Sequence, residues 1–111
     1  MDMRLTKTAE DGMFNIEPFR PALILLCRRL QVKRLDLFGS ATTVLYGPTS
    51  DIDVVVEFDR SAGRLFDRYF DLKEGLEALF DRSVDVVIAD AIRNPYFREA
   101  VDASRRPVYV E

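Results

Sequence analysis

The sequence predicts one small α/β domain, α+β-like in character, with a mixed β-sheet backed by helices. Three observations carry this expectation. Of 111 residues, 48% are hydrophobic and 11% aromatic, enough apolar material for one buried core. Apolar positions switch along the chain between helical spacing and short β-branched runs. The segments follow one another as helix, strand, short helix, strand, helix, strand, helix, strand, with no repeat or low-complexity stretch between them. The first two strands are separated by only about a dozen residues and a short helix, which permits antiparallel pairing, so a doubly wound parallel sheet is not expected.

Residues 1–15 mix charge, Thr and Gly without a period and read as an N-terminal tail or arm, with the domain proper over 16–111. Phe19, Leu23, Leu26, Cys27 and Leu30 recur at helical spacing, which predicts a helix over 18–30; Pro18 and Pro21 are tolerated near its first turn. Ile24 and Leu25 widen its apolar face and predict a well-buried helix. Residues 34–38 alternate and end at Gly39-Ser40, where a short helix starts. Ile52–Phe58 is apolar and β-branched after the turn residues Gly47-Pro48-Thr49-Ser50. From 64 to 80, Leu65, Phe66, Tyr69, Phe70, Leu72, Leu76, Leu79 and Phe80 read as one core-facing helical stripe. Residues 84–89 form a third strand, Asn94-Pro95 opens a helix through 103, and Arg106-Pro107 leads into a terminal strand at the sheet edge, where proline is allowed.

Composition removes several chemistries. With no histidine and one cysteine, histidine-based triads, Cys/His zinc sites, histidine-ligated haem and internal disulfides are excluded. Cys27, inside the run 22–27, reads as a small buried hydrophobe without a functional role. Carboxylates, hydroxyls, backbone groups or a bound cation must do the work. Sixteen basic against nineteen acidic residues give a net charge of −3, which argues against direct nucleic-acid binding. Arg28-Arg29 and Arg105-Arg106 are basic pairs that would suit an acidic partner or a nucleotide, or an ordinary solvated face. The longest apolar run is far short of the roughly 20 residues that cross a bilayer, so no membrane association and a cytoplasmic location are expected. A domain of this size buries only about 60–70% of its unfolded surface, which makes a homo- or hetero-oligomer a natural supplement.

Asp51 and Asp53 open the second strand, and residues two apart on a strand share a face, so their carboxylates can converge on one cation. Asp85 stands in the apolar strand Val84-Asp85-Val86-Val87-Ile88 and supplies a third carboxylate if that strand lies beside the second. Each part has a plainer reading: 12 aspartates make an Asp-x-Asp pair uninformative alone, and Asp85 alone fits the solvent side of a half-exposed strand. The combination is informative. Gly39-Ser40 directly follows a strand end, and ten residues separate it from Asp51. There Gly39 lets a ligand approach the backbone, and Ser40 can cap the following turn or bond a phosphate.

Leu37-Phe38-Gly39-Ser40, then Asp51-Ile52-Asp53-Val54-Val55-Val56-Glu57-Phe58, with Val84-Asp85-Val86-Val87 later, resembles the minimal nucleotidyltransferases of the DNA polymerase β superfamily. Within it the chain is most similar to the small antitoxins encoded beside HEPN-domain toxins, over nearly its whole length from about Phe19 to Val110. The resemblance implies the nucleotidyltransferase fold, two Mg²⁺ ions held by Asp51, Asp53 and Asp85, and ATP as donor with Gly39 and Ser40 against its phosphates. It also implies transfer of AMP to a tyrosine hydroxyl of a HEPN toxin partner.

In one place the chain departs from that pattern. Members commonly carry an arginine and then a glycine three and four residues after the serine, where this chain has Thr43 and Val44. A neutral hydroxyl does not replace a guanidinium against a triphosphate. Tyr46, or one of the 13 arginines, would have to compensate. The departure motivates a rival reading, an antitoxin that neutralises its partner by contact alone. A phosphatase using Asp51 as nucleophile fits less well, because such enzymes place the acids after an apolar strand, whereas here the apolar run follows them. The glycosyltransferase use of Asp-x-Asp needs a larger sugar-nucleotide domain.

Overall fold

The structure, a computed structural model, describes residues 14–42, 47 and 50–111. A 3-10 turn at Glu17–Phe19 leads into helix α1, Arg20–Arg29, and the prolines sit as expected in these first turns. Strand β1 is Val32–Phe38, followed by a 3-10 turn at Gly39–Thr42; β2 is Ile52–Phe58. Helix α2, Leu65–Phe80, precedes β3, Val84–Ile88, and a 3-10 turn at Ala89–Ala91. Helix α3, Pro95–Ser104, is capped by the Asn94 side chain, which accepts from the amides of Tyr96 and Phe97, and β4, Arg106–Val110, ends the fold. Among the described residues no helix is long and apolar enough to cross a membrane.

The sheet order is β3-β2-β1-β4, with β1 antiparallel to both β2 and β4 and with β2 parallel to β3. The mixed sheet expected from the short β1–β2 connection is therefore present. The parallel pair is joined through α2, the crossover length such a pair requires. On one face α1 and α2 cover the main core, with Leu23, Cys27, Leu35, Ile52, Val54, Val56, Leu72 and Leu76 packed together. On the other, α3 covers a smaller cluster of Phe38, Val55, Ala89 and Val101. The two helices of the main layer cross closely at Gly75, where an added Cβ would lie 2.9 Å from the Leu26 methyls. Phe14, assigned to the N-terminal arm by the sequence, stacks on Phe19 and meets Phe80 edge-on; residues 1–13 of that arm lie outside the described residues.

Two expectations about burial are corrected. Leu25 is 67% exposed, and on α2 Phe66 is 73% and Phe70 42% exposed. The cause is helical phase. The line Arg68, Leu72, Leu76, Phe80 faces the core, and a residue two positions away from any member lies about 200° around the axis. Leu25 stands in the same relation to Leu23 and Cys27. Arg68 holds its buried place because its guanidinium donates to the carbonyls of Gly63, Leu30 and Asp59 at 2.8, 3.2 and 2.9 Å and lies over the Phe58 ring. Cys27 matches its reading: it is fully buried, and burial pushes its thiol up to about 12.

Candidate active site

Alternation along β2 sends Ile52, Val54 and Val56 into the main core, so Asp53 projects from the opposite face. In β3, Val84 and Val86 face that same core and Asp85 projects away from it. The parallel register pairs Asp53 directly with Asp85, which sets the two acids side by side on neighbouring strands roughly 4.8 Å apart. Strand β1 runs the other way and ends with Phe38 opposite Asp53. Gly39 follows at φ +68°, and a Cβ there would stand 2.7 Å from Asp53 Oδ2. Glycine is thus favoured twice, by a left-handed backbone and by the carboxylate against it. Ser40 continues the same turn; its side chain, together with Thr43, Val44 and Tyr46, lies outside the described residues.

Asp53 is the most enclosed of the three acids, while Asp51 and Asp85 are exposed. Burial first, then repulsion from Asp85 and from Asp51, and finally a hydrogen bond with the Asp85 carboxyl push Asp53 up to about 6. The acids thus concentrate negative charge at this end of the sheet. Among the described residues no group of three such acids is already gathered at ion-binding spacing. An all-oxygen donor set of this kind fits a hard cation such as Mg²⁺.

An open cavity of about 430 Å³ joins Asp53 and Asp85 to Phe38 and Phe97 on one side and to Tyr69 and Lys73 of α2 on the other. The Gly39 amide donates to Ser104 Oγ at 3.1 Å, and Thr42 Oγ1 donates back to the Gly39 carbonyl at 2.8 Å. Arg82 reaches the segment before Asp51; its Nη2 donates to the carbonyls of Gly47 and Ser50 at 2.8 and 2.5 Å. Sequence reasoning missed this brace, because 32 residues separate Arg82 from Ser50 and no motif marks it. It also missed Asp36, fully buried on the α3 side of β1, where Arg34 and Arg105 both bond its carboxylate, Arg105 Nε at 2.6 Å. Arg105, singled out as a docking candidate, is therefore spent inside the fold, with further links to Glu57 and Asp102. Arg28 and Arg29 stand exposed in the last turn of α1, where positive charge suits the helix dipole.

The chain and its fold have counterparts among known proteins. The profile of the nucleotidyltransferase domain matches residues 23–108. Two candidate protein adenylyltransferases of Methanocaldococcus jannaschii are each 35% identical over 78 residues, covering 70% of this chain and 78% of theirs. A solved candidate minimal nucleotidyltransferase superposes with a TM-score of 0.70 at 32% identity, covering 83% of this chain and 91% of that one. A toxin–antitoxin structure with AMP-PNP (20% identity, TM-score 0.65, 83% and 73% covered) is similar in fold. So is a chain from a structure of tri-AMPylated Shewanella oneidensis HEPN toxin in complex with MNT antitoxin (18% identity, TM-score 0.61, 87% and 74% covered). Since the match takes in both glycine-serine bend and all three acids, the chain belongs to the nucleotidyltransferase domain family, among its minimal members.

Proposed function

We propose that the chain is a cytoplasmic Mg²⁺-dependent adenylyltransferase of the antitoxin type, which moves AMP from ATP to a tyrosine hydroxyl of a HEPN-domain toxin. The observation that carries the reading is the register pairing of Asp53 with Asp85, beside the glycine that ends β1. The M. jannaschii relatives and the AMPylated S. oneidensis assembly support the choice of donor and acceptor. The attacking hydroxyl oxygen would bond the α-phosphorus as the bond to pyrophosphate breaks, and the hydroxyl proton would leave towards the acids. Asp53 and Asp85 would hold the ion on the acceptor side, and Asp51 with Asp53 the ion on the leaving-group side. When bound, the ions supply Lewis-acid stabilisation of charge on the α-phosphate and pyrophosphate and acidify the hydroxyl. Gly39, whose missing side chain makes room for the Asp53 carboxylate, would shape the bend against which the triphosphate lies, and Ser40, next in the chain, would meet its phosphates. Positioning and electrostatics suffice for such a transfer, so the lack of histidine is no obstacle.

The test incubates the protein with labelled ATP, Mg²⁺ and the toxin encoded beside it. Label should appear on the toxin and vanish with an Asp51→Ala, Asp53→Ala double variant; no transfer by folded wild-type protein rejects the reading. The rival, neutralisation by contact alone, is favoured by Thr43 and Val44, which stand where the family resemblance implies Arg and Gly. It predicts that the double variant protects cells from the toxin as well as the wild type does.

A further inference from the structure

Strand β3 lies at the edge of the sheet, so among the described residues the backbone groups it turns outward have no strand partner. Three of them flank Asp85, and each is met by a side chain of α2. Glu77 Oε2 accepts from the Val84 amide at 3.0 Å, Lys73 Nζ donates to the Val84 carbonyl at 2.6 Å, and Tyr69 Oη donates to the Val86 carbonyl at 3.2 Å. Lys73 and Glu77 also pair with each other at 3.0 Å. Spacing of four residues puts all three on one helix face. The Val84 amide and Lys73 hold the Glu77 carboxyl below its ordinary range, as an acceptor of two charge-assisted bonds should be.

This arrangement fixes the residues on both sides of Asp85 while leaving Asp85 itself exposed. Strand side chains alternate, so a slip of one residue at this unprotected edge would turn Asp85 into the core and Val84 or Val86 into the site. Tyr69 and Lys73 line the cavity that Asp53 and Asp85 share. We propose that Tyr69, Lys73 and Glu77 are positioning residues, a clamp on the β3 edge that holds Asp85 in register with Asp53 for ion binding. The clamp rests on the adenylyltransferase reading and adds to it a second set of residues, on a different element.

The test measures Mn²⁺ binding to the full chain by electron paramagnetic resonance, with a non-hydrolysable ATP analogue present, alongside thermal unfolding of the ion-free protein. A Lys73→Met, Glu77→Ala double variant should lose about tenfold in Mn²⁺ affinity, the usual scale for residues that orient ligands. Glu77→Gln, which keeps an oxygen for the Val84 amide, should recover most of it. Tyr69→Phe, which removes one hydroxyl and keeps the fold, should lose about half an order of magnitude. In an Asp85→Asn background the clamp substitutions should cost nothing further. Wild-type affinity in folded clamp variants, or the same loss with and without Asp85, overturns the clamp while leaving the adenylyltransferase reading intact. No Mn²⁺ binding by the wild type overturns that reading first, and the clamp's role with it.

Discussion

At Gly39 the backbone and the chemistry make the same demand, since φ is +68° and Asp53 Oδ2 occupies the space a methyl group would need. Gly39→Ala should therefore cost about 1–2 kcal/mol from the left-handed backbone alone, and by displacing the Asp53 carboxylate it should also abolish AMP transfer; denaturant titration and the labelled-ATP assay read the two effects separately. Asp53 adds a pH signature. Its carboxyl is raised to about 6, so in the ion-free fold a proton occupies it below that pH and a divalent ion must displace the proton. Ion affinity measured by calorimetry should be level above about 6 and fall by about a factor of ten per pH unit below it. The same raised value means that the ionised acid disfavours the fold near neutrality and that protonation relieves this as pH falls. Asp53→Asn should therefore raise the unfolding temperature of the ion-free protein at pH 7 while ending its activity, a trade common at functional sites.

Strand β1 carries its own burden in Asp36, which has no exposure and is held by Arg34 from its own strand and by Arg105 from the junction between α3 and β4. Replacing Asp36 leaves the enclosed Arg105 guanidinium without its closest carboxylate, so Asp36→Ala should destabilise by about 3 kcal/mol, lowering the unfolding temperature by more than about 10 °C for a domain of this size. Elements defined by local chemistry were legible in the sequence: Ile52–Phe58 by its β-branched run after a turn, and α3 by Asn94-Pro95, whose capping bonds the structure contains. What depends on distant partners was not. No local pattern announces that Arg105 will reach Asp36 across 69 positions, or that Arg68 will take a core position while Phe66 and Phe70 face solvent. The candidate acids were legible as residue types, but the pairing of Asp53 with Asp85 is a property of strand register, which only the folded sheet sets.

In the whole molecule, α1 and α2 close one face of the sheet, while α3 covers the other without sealing the end where β1 stops and β2 and β3 begin. That end gathers Gly39, Asp51, Asp53 and Asp85, and with a net charge of −3 the chain supplies no excess of positive charge to neutralise them. Stability should then depend on ligands by mass action: Mg²⁺ with an ATP analogue at about 100 times its dissociation constant should add about 2.7 kcal/mol, and chelation should remove it. Anomalous diffraction from crystals grown with Mn²⁺ and a non-hydrolysable ATP analogue is the most direct measurement. A peak bridged by carboxylate oxygens of Asp53 and Asp85 at about 2.1 Å, with a second ion on Asp51, is what the proposed site requires. Nucleotide bound elsewhere, or ions that leave Asp85 without a bond, would contradict it.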